Sequence, residues 1–194
     1  SDIENNSYIM GVDISKGVGL DFSVIQILDI TNPNKIIQVA VYRYQISTID
    51  FPAVIELLSK IYNNALTLIE SNNLGDGIIN DLHHNYEFDN ILSSNPNKGL
   101  GIYTSKSSKT QMLSNLKYYL TKNKVEINDF DTIHELSVFT VKSNSTVSAE
   151  QGEHDDTVMA LAIALYIMKL NIIDVDMSDN INEIKQEVYA TILG

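Results

Sequence analysis

The stretch YIMGVDISKGVGLDFSVIQILDI, residues 8–30, decides the fold. Its first part, Tyr8 to Asp13, is an apolar run ending in a carboxylate, the pattern of a short buried strand. Lys16 to Leu20 is a glycine-marked turn, and Phe22 to Ile30 is a second strand by its β-branched and aromatic content. The chain turns again at Asn32-Pro33-Asn34. Ile36 to Gln45 is then a third strand, with alternation in its second half. Three strands joined by short turns predict an antiparallel meander.

Beyond the meander the period changes. Asp50 to Asn63 predicts a helix, with Asp50 as N-cap, Pro52 in the first turn, and Val54, Leu57, Leu58 and Ile61 as its stripe. Ala65 to Ile69 is a buried strand ending at Glu70, Gly77 to His84 starts another helix, and Ile102 and Tyr103 belong to a short strand. Lys109 to Asn123 predicts a helix with Met112, Leu113, Leu116, Tyr119 and Leu120 inward. Val125 to Ile127 is a short strand, and Phe130 to Phe139 a helix running into a turn or strand near Val141. Residues 143–153 form a polar loop, and Thr157 to Leu170 is apolar all round, hence a buried helix. From Asn171 the chain is acidic and weakly patterned, with room for one terminal helix from Ile181 to Leu193. This order predicts one α/β domain over residues 1–194. Its core, about 8–170, is a mixed β-sheet (antiparallel meander, then parallel strands) flanked by helices, and 171–194 are an acidic extension.

Composition narrows the chemistry. The 194 residues, 44% hydrophobic, suit one domain with a sizeable core. Without cysteine there are no disulfides and no thiolate metal sites. The start carries no basic, signal-type segment, and the longest apolar run, Val158 to Met168, is too short to span a bilayer. The expectation is a soluble protein with no membrane partner. A net charge of −12 argues against a polyanionic partner. Yet Lys98, Lys106, Lys109, Lys117, Lys122 and Lys124 lie in a stretch with no acidic residue. They give either one positive face on an acidic protein or simply a solvated helix.

The carboxylates fall in islands at the edges of apolar runs: Asp13 and Asp21, then Glu70, then Asp155 and Asp156. Taking an unpaired charge out of water is costly, so carboxylates that meet in a half-buried place call for a cation held by oxygen ligands. That is the chemistry of metal-dependent phosphodiester cleavage. Each island also has a plainer explanation. Asp13 and Asp21 suit turns, Glu70 suits a solvated loop, and Asp155 and Asp156 suit a helix start. Adjacent helical residues point about 100° apart, so capping accounts for one of the pair. Asp156, deeper in the helix, is the ligand candidate. His154 has the chemistry to bind a metal or a phosphate, though a lone loop histidine more often does neither, and His83 and His84 lack ligand spacing and read as helix surface. Gly17-Val18-Gly19 is not followed by the Gly-Lys-Ser/Thr of a P-loop, and Glu70-Ser71-Asn72 lacks the lysine of a Glu-x-Lys nuclease site.

In GVDISKGVGLDFSVIQILDI, LTLIESNNLGDGIINDL, GIYTSKSSKTQMLSNLKYYL and HELSVFTVKSNSTVSAEQGEHDDTVMALAIALYIM, the chain resembles the nuclease domain of the large terminase subunit of tailed bacteriophages, within the RNase H-like (RuvC-like) group. These segments span roughly residues 8–168. The resemblance implies an RNase H-like sheet. It implies Asp13, Glu70 and Asp156 as catalytic metal ligands, Asp155 sharing that role, and Asp21 as an accessory acid. It further implies two divalent ions, Mg²⁺ or Mn²⁺, about 4 Å apart on one phosphate with Asp13 between them. Lys106, Lys109 and Lys117 would hold the DNA backbone. The implied activity is endonucleolytic cleavage of double-stranded DNA concatemers during viral genome packaging. It would take place in the host cell cytoplasm, not in the mature virion. The implied partners are an ATPase motor domain of the same subunit (no Walker motif occurs here), the portal and the small terminase subunit. Three alternatives stand beside it: a Holliday-junction resolvase or transposase-like nuclease, an ATP-binding sugar- or acetate-kinase-like domain, to whose phosphate loop GVDISKG is similar, and a non-catalytic portal-docking domain.

Overall fold

In the computed structural model, residues 3–14, 22–72, 74–141, 147–149 and 155–170 are described. Three apolar runs form the meander: β1 (Tyr8–Asp13), β2 (Ser23–Asp29) and β3 (Ile36–Tyr44), paired antiparallel. β4 (Leu66–Ile69) then runs parallel to β1, and the short β5 (Val125–Glu126) runs parallel to β3. The sheet order is β4-β1-β2-β3-β5. This is the mixed, RNase H-like arrangement expected. β1 and β2 read as continuous apolar runs because helices cover both their faces.

Strand alternation sorts the side chains into two cores. Tyr8, Met10, Val12, Ile25, Ile27 and Ile69 pack with Phe51 and Ile55 of α1 (Phe51–Ile61) and with Ile78, Ile79 and Leu82 of α2 (Leu74–Asn85). Ile9, Leu28, Ile36 and Leu68 pack on the other face, under α3 (Lys106–Thr121) and α5 (Asp156–Ile167). Ten of the twelve residues of α5 are buried, as its all-round apolar character requires. The helix lies so close to β1 that a Cβ on Gly11 would sit 2.3 Å from Ala160 O and Ala164 N. Only a residue without a side chain admits the helix there.

Several local expectations change. α1 buries Phe51, Ile55 and Ser59, whereas Leu57 and Ile61 of the anticipated stripe are 55% and 49% exposed. The polar Ser59 disguised the true face; its hydroxyl is satisfied by donating to Ala65 O at 3.1 Å. Asp50 stands at the N-cap of α1 but makes no side-chain cap bond; its carboxylate accepts from Ser47 Oγ at 2.6 Å. α3 begins one turn earlier than its apolar stripe suggests, because Ser105 and Ser108 form a reciprocal capping box. α2 likewise starts at Leu74. Ile102 makes a single parallel bridge to Glu70 and no strand forms at Tyr103. Within the predicted 143–153 loop, β7 (Val147–Ala149) pairs antiparallel with β6 (Phe139–Val141), which follows α4 (Phe130–Val138). The remainder of that loop and the predicted helix from Ile181 to Leu193 lie outside the described residues.

Candidate metal centre

Asp13 is the last residue of β1, and Glu70 directly follows β4. The parallel register pairs Ile9 with Leu66 and Gly11 with Leu68, so the next step along it sets Asp13 beside Glu70. The Glu70 N–H donates to Val12 O at 3.0 Å and holds that step. Ile9, Gly11 and Asp13 alternate onto one face of the sheet, and so do Leu66, Leu68 and Glu70. That is the face covered by α5.

The third island arrives from above. Asp155 is the N-cap of α5 and Asp156 its first residue. Capping does not explain Asp155, because it makes no side-chain cap bond. Its Oδ2 instead lies 3.2 Å from Lys109 Nζ on α3, with both side chains about two-thirds buried. Lys109, expected at the DNA backbone, thus carries an ion pair to a carboxylate beside the site. Lys106 and Lys117 of α3 are exposed and stand about 16 Å apart along one helix face, three turns' rise.

The cap on α5 comes from a residue that sequence reasoning missed. Glu135 of α4 is 4% exposed, and its Oε2 accepts from Thr157 N at 2.9 Å and from Thr157 Oγ1 at 2.6 Å. Arg43 Nη2 lies 3.3 Å from its other oxygen. The available signal was a carboxylate within the short amphipathic segment Phe130 to Phe139, too weak by itself to mark burial.

The carboxylates feel one another. The Asp13 carboxyl is held well above the ordinary carboxylate range, first by burial, then by the charge of Glu70 and a hydrogen bond with it, then by the charges of Asp156 and Asp155. Four acids from three elements therefore share one neighbourhood. Among the described residues, no three His, Asp or Glu side chains already stand at the spacing of a finished metal cage. A hydrogen bond between Asp13 and Glu70 needs a proton to offset their repulsion. A divalent cation would serve the same end, and an all-oxygen donor set suits Mg²⁺ or Mn²⁺. In donor chemistry the residues present fit such an ion.

Of the other candidates, Asp21 and His154 lie outside the described residues. His83 and His84 are exposed in the last turn of α2, their rings 5.1 Å apart. Next to Glu70, a cavity of about 410 Å³ is lined by Ser71, Ser94, Lys98, Tyr103, Ser105 and Ser107, among others. It opens at the N-terminus of α3. No helix among the described residues is long and apolar enough to cross a membrane.

Residues 10–167 match the family model described as the terminase RNaseH-like domain. The chain is similar in structure to the large terminase nuclease from thermophilic phage G20c with bound magnesium, at 26% identity and TM-score 0.69, covering 84% of this chain and 82% of that one. The same phage nuclease with bound cobalt matches at TM-score 0.68 and 26% identity, over 84% and 81% of the two chains. The nuclease domain of the bacteriophage SPP1 large terminase, with bound manganese, shares the fold at 13% identity and TM-score 0.60, over 86% of this chain and 90% of that one.

Proposed function

The chain belongs to the terminase RNaseH-like domain family, and on that premise we propose that it is a divalent-metal-dependent endonuclease that cuts double-stranded DNA concatemers during viral genome packaging. One observation carries the proposal: Asp13 and Glu70 abut on neighbouring parallel strands while Asp155 and Asp156, at the start of α5, lie near enough to act on the Asp13 carboxyl. The metal-bound relatives from G20c and SPP1 support a divalent cation as the partner of such a cluster.

Asp13, Glu70 and Asp156 would hold the two divalent ions, with Asp155 as a further ligand. Bound Mg²⁺ or Mn²⁺ supplies Lewis-acid charge for activating water and for stabilising the leaving 3′ oxygen. The chain's own residues do the rest. The rigid β1–β4 pair fixes where the carboxylates meet. Lys106, Lys109 and Lys117 would take backbone phosphates, which position the duplex without choosing its sequence. The hydroxyl-lined cavity beside Glu70 offers neutral donors for the same backbone. Asp21 would be an accessory acid. The activity would be exercised in the host cell cytoplasm, beside an ATPase motor domain of the same subunit, the portal and the small terminase subunit.

The test is cleavage of supercoiled plasmid in Mn²⁺ or Mg²⁺, beside EDTA and an Asp13→Asn protein. Nicking and linearisation should need the cation and disappear with Asp13. Degradation that survives both controls rules the proposal out.

A further inference from the structure

We infer that the pair formed by buried Glu135 and half-buried Arg43 is a positioning device: it clamps the first turn of α5 and so fixes the place from which Asp155 and Asp156 reach the metal site. This rests on the reading of Asp13, Glu70, Asp155 and Asp156 as the metal site. Glu135 acts through Thr157, and Arg43 through Glu135.

The argument starts from what a helix N-terminus needs. Its first N–H groups have no intrahelical partner and are usually capped by a local side chain. Asp155 stands at the capping position but spends its carboxylate on Lys109. A residue twenty-two positions earlier caps instead: Glu135 Oε2 takes both the N–H and the hydroxyl of Thr157. One residue separates that double bond from Asp155, and none from Asp156. The local cap is thereby released for the cluster.

A buried carboxylate is costly unless paired, and the pairing extends the clamp to the sheet. Arg43 on β3 faces Glu135 with one nitrogen and Asp131 with another at 3.4 Å, and its guanidinium lies 4.6 Å above the Phe22 ring. Thr157 is gripped a third time, its carbonyl accepting from Gln26 Nε2 of β2 at 3.2 Å. Gln26 is itself locked: its Oε1 accepts from Gln38 Nε2 at 2.7 Å, and its Nε2 also reaches Thr132 Oγ1 at 3.0 Å. Gln38 in turn accepts from Asn128 N and Asp129 N, each at 2.7 Å, where the chain enters α4. Buried amides and charges on two strands and a helix thus converge on one threonine. An apolar core would fill that space more cheaply, but it would let the helix slide or rotate. Hydrogen bonds of this kind fix a single register.

The test uses the full chain and Mn²⁺ as the probe, with binding read by the paramagnetic signal of the free ion at a temperature where each variant is folded. Glu135→Ala should weaken Mn²⁺ binding about 10- to 100-fold, the range seen when groups that orient metal ligands are removed. Plasmid cleavage should lose kcat while KM for DNA stays put, because Glu135 contacts no DNA. Glu135→Gln keeps an acceptor for Thr157 and should recover binding to within about threefold. A folded Glu135→Ala protein whose Mn²⁺ affinity stays within about twofold of the parent overturns the inference, even if it melts earlier. Should Glu135→Ala fail to fold, Thr157→Val decides: it deletes the hydroxyl bond and keeps the N–H, and an unaltered Mn²⁺ affinity there overturns the inference equally. Asp13→Asn separates the two layers. If it abolishes Mn²⁺ binding while the Glu135 variants change nothing, the metal site stands and the clamp falls. If Asp13→Asn binds and cuts like the parent, both fall.

Discussion

The two faces of the sheet are built to different tolerances. On one face α5 is buried on every side and meets β1 backbone to backbone at Gly11. On the other, α1 rests on large apolar side chains and leaves Leu57 and Ile61 facing solvent. The α1 face is an ordinary amphipathic packing, stabilised by buried area and able to absorb small shifts. The α5 face has no such slack, because close-packed backbones cannot shift without breaking something. The carboxylate cluster lies at the open end of the tight face. Positional demand and packing tolerance therefore run in opposite directions across a single sheet.

Breaking the tight face should cost most. Gly11→Ala places a Cβ against the carbonyl and amide of α5, which cannot swing aside as a side-chain tip can. Overpacking of this kind should remove more than about 3 kcal/mol of stability in urea unfolding. It should also abolish cleavage by lifting Asp155 and Asp156 away. A Gly11→Ala protein as stable as the parent would show that the close approach carries nothing.

The opposite face supplies the control. Ile55, fully buried in α1, should cost about 3 kcal/mol on truncation to Ala, yet the surviving folded protein should cut DNA at the parent rate when assayed in the cold. Loss of cleavage proportionate to that of Gly11→Ala would erase the distinction between the faces.

A smaller effect separates the charge in the cluster from its packing. The folded state raises the Asp13 carboxyl above its unfolded value of about 3.9. The stability this gives is complete below that unfolded value and is lost as pH rises through the folded one. In EDTA, parent stability should therefore fall relative to Asp13→Asn as pH climbs from about 4 toward neutrality. Parallel pH profiles for the two proteins would mean the acids are not close enough to repel. The least change belongs to Leu57→Ala, which should shift stability by no more than about 0.5 kcal/mol. A larger loss there would make α1 as demanding as α5.

Much of this was legible in the residues. The meander, the parallel strand ending at Glu70 and the all-apolar helix after Asp155 each carry a strong local pattern, so the elements that hold Asp13, Glu70, Asp155 and Asp156 are found where expected. Less was legible where pattern and environment part. The inward face of α1 includes a serine, the start of α3 depends on a Ser-x-x-Ser cap, and β7 is three residues inside a polar stretch. The partners of Lys109 and Glu135 could not be read at all. Asp155 is 46 residues from Lys109, and Thr157 is 22 residues from Glu135.

By itself the sequence determined the kinds of element and which of them end in acid, because periodicity and side-chain chemistry act over a few residues. Only the tertiary structure decided which acids become neighbours, which lysine pairs with one of them and which distant glutamate caps the last described helix. Those outcomes depend on strand register and on how near two backbones can come, and no local stretch of chain encodes a distance to a residue far along it.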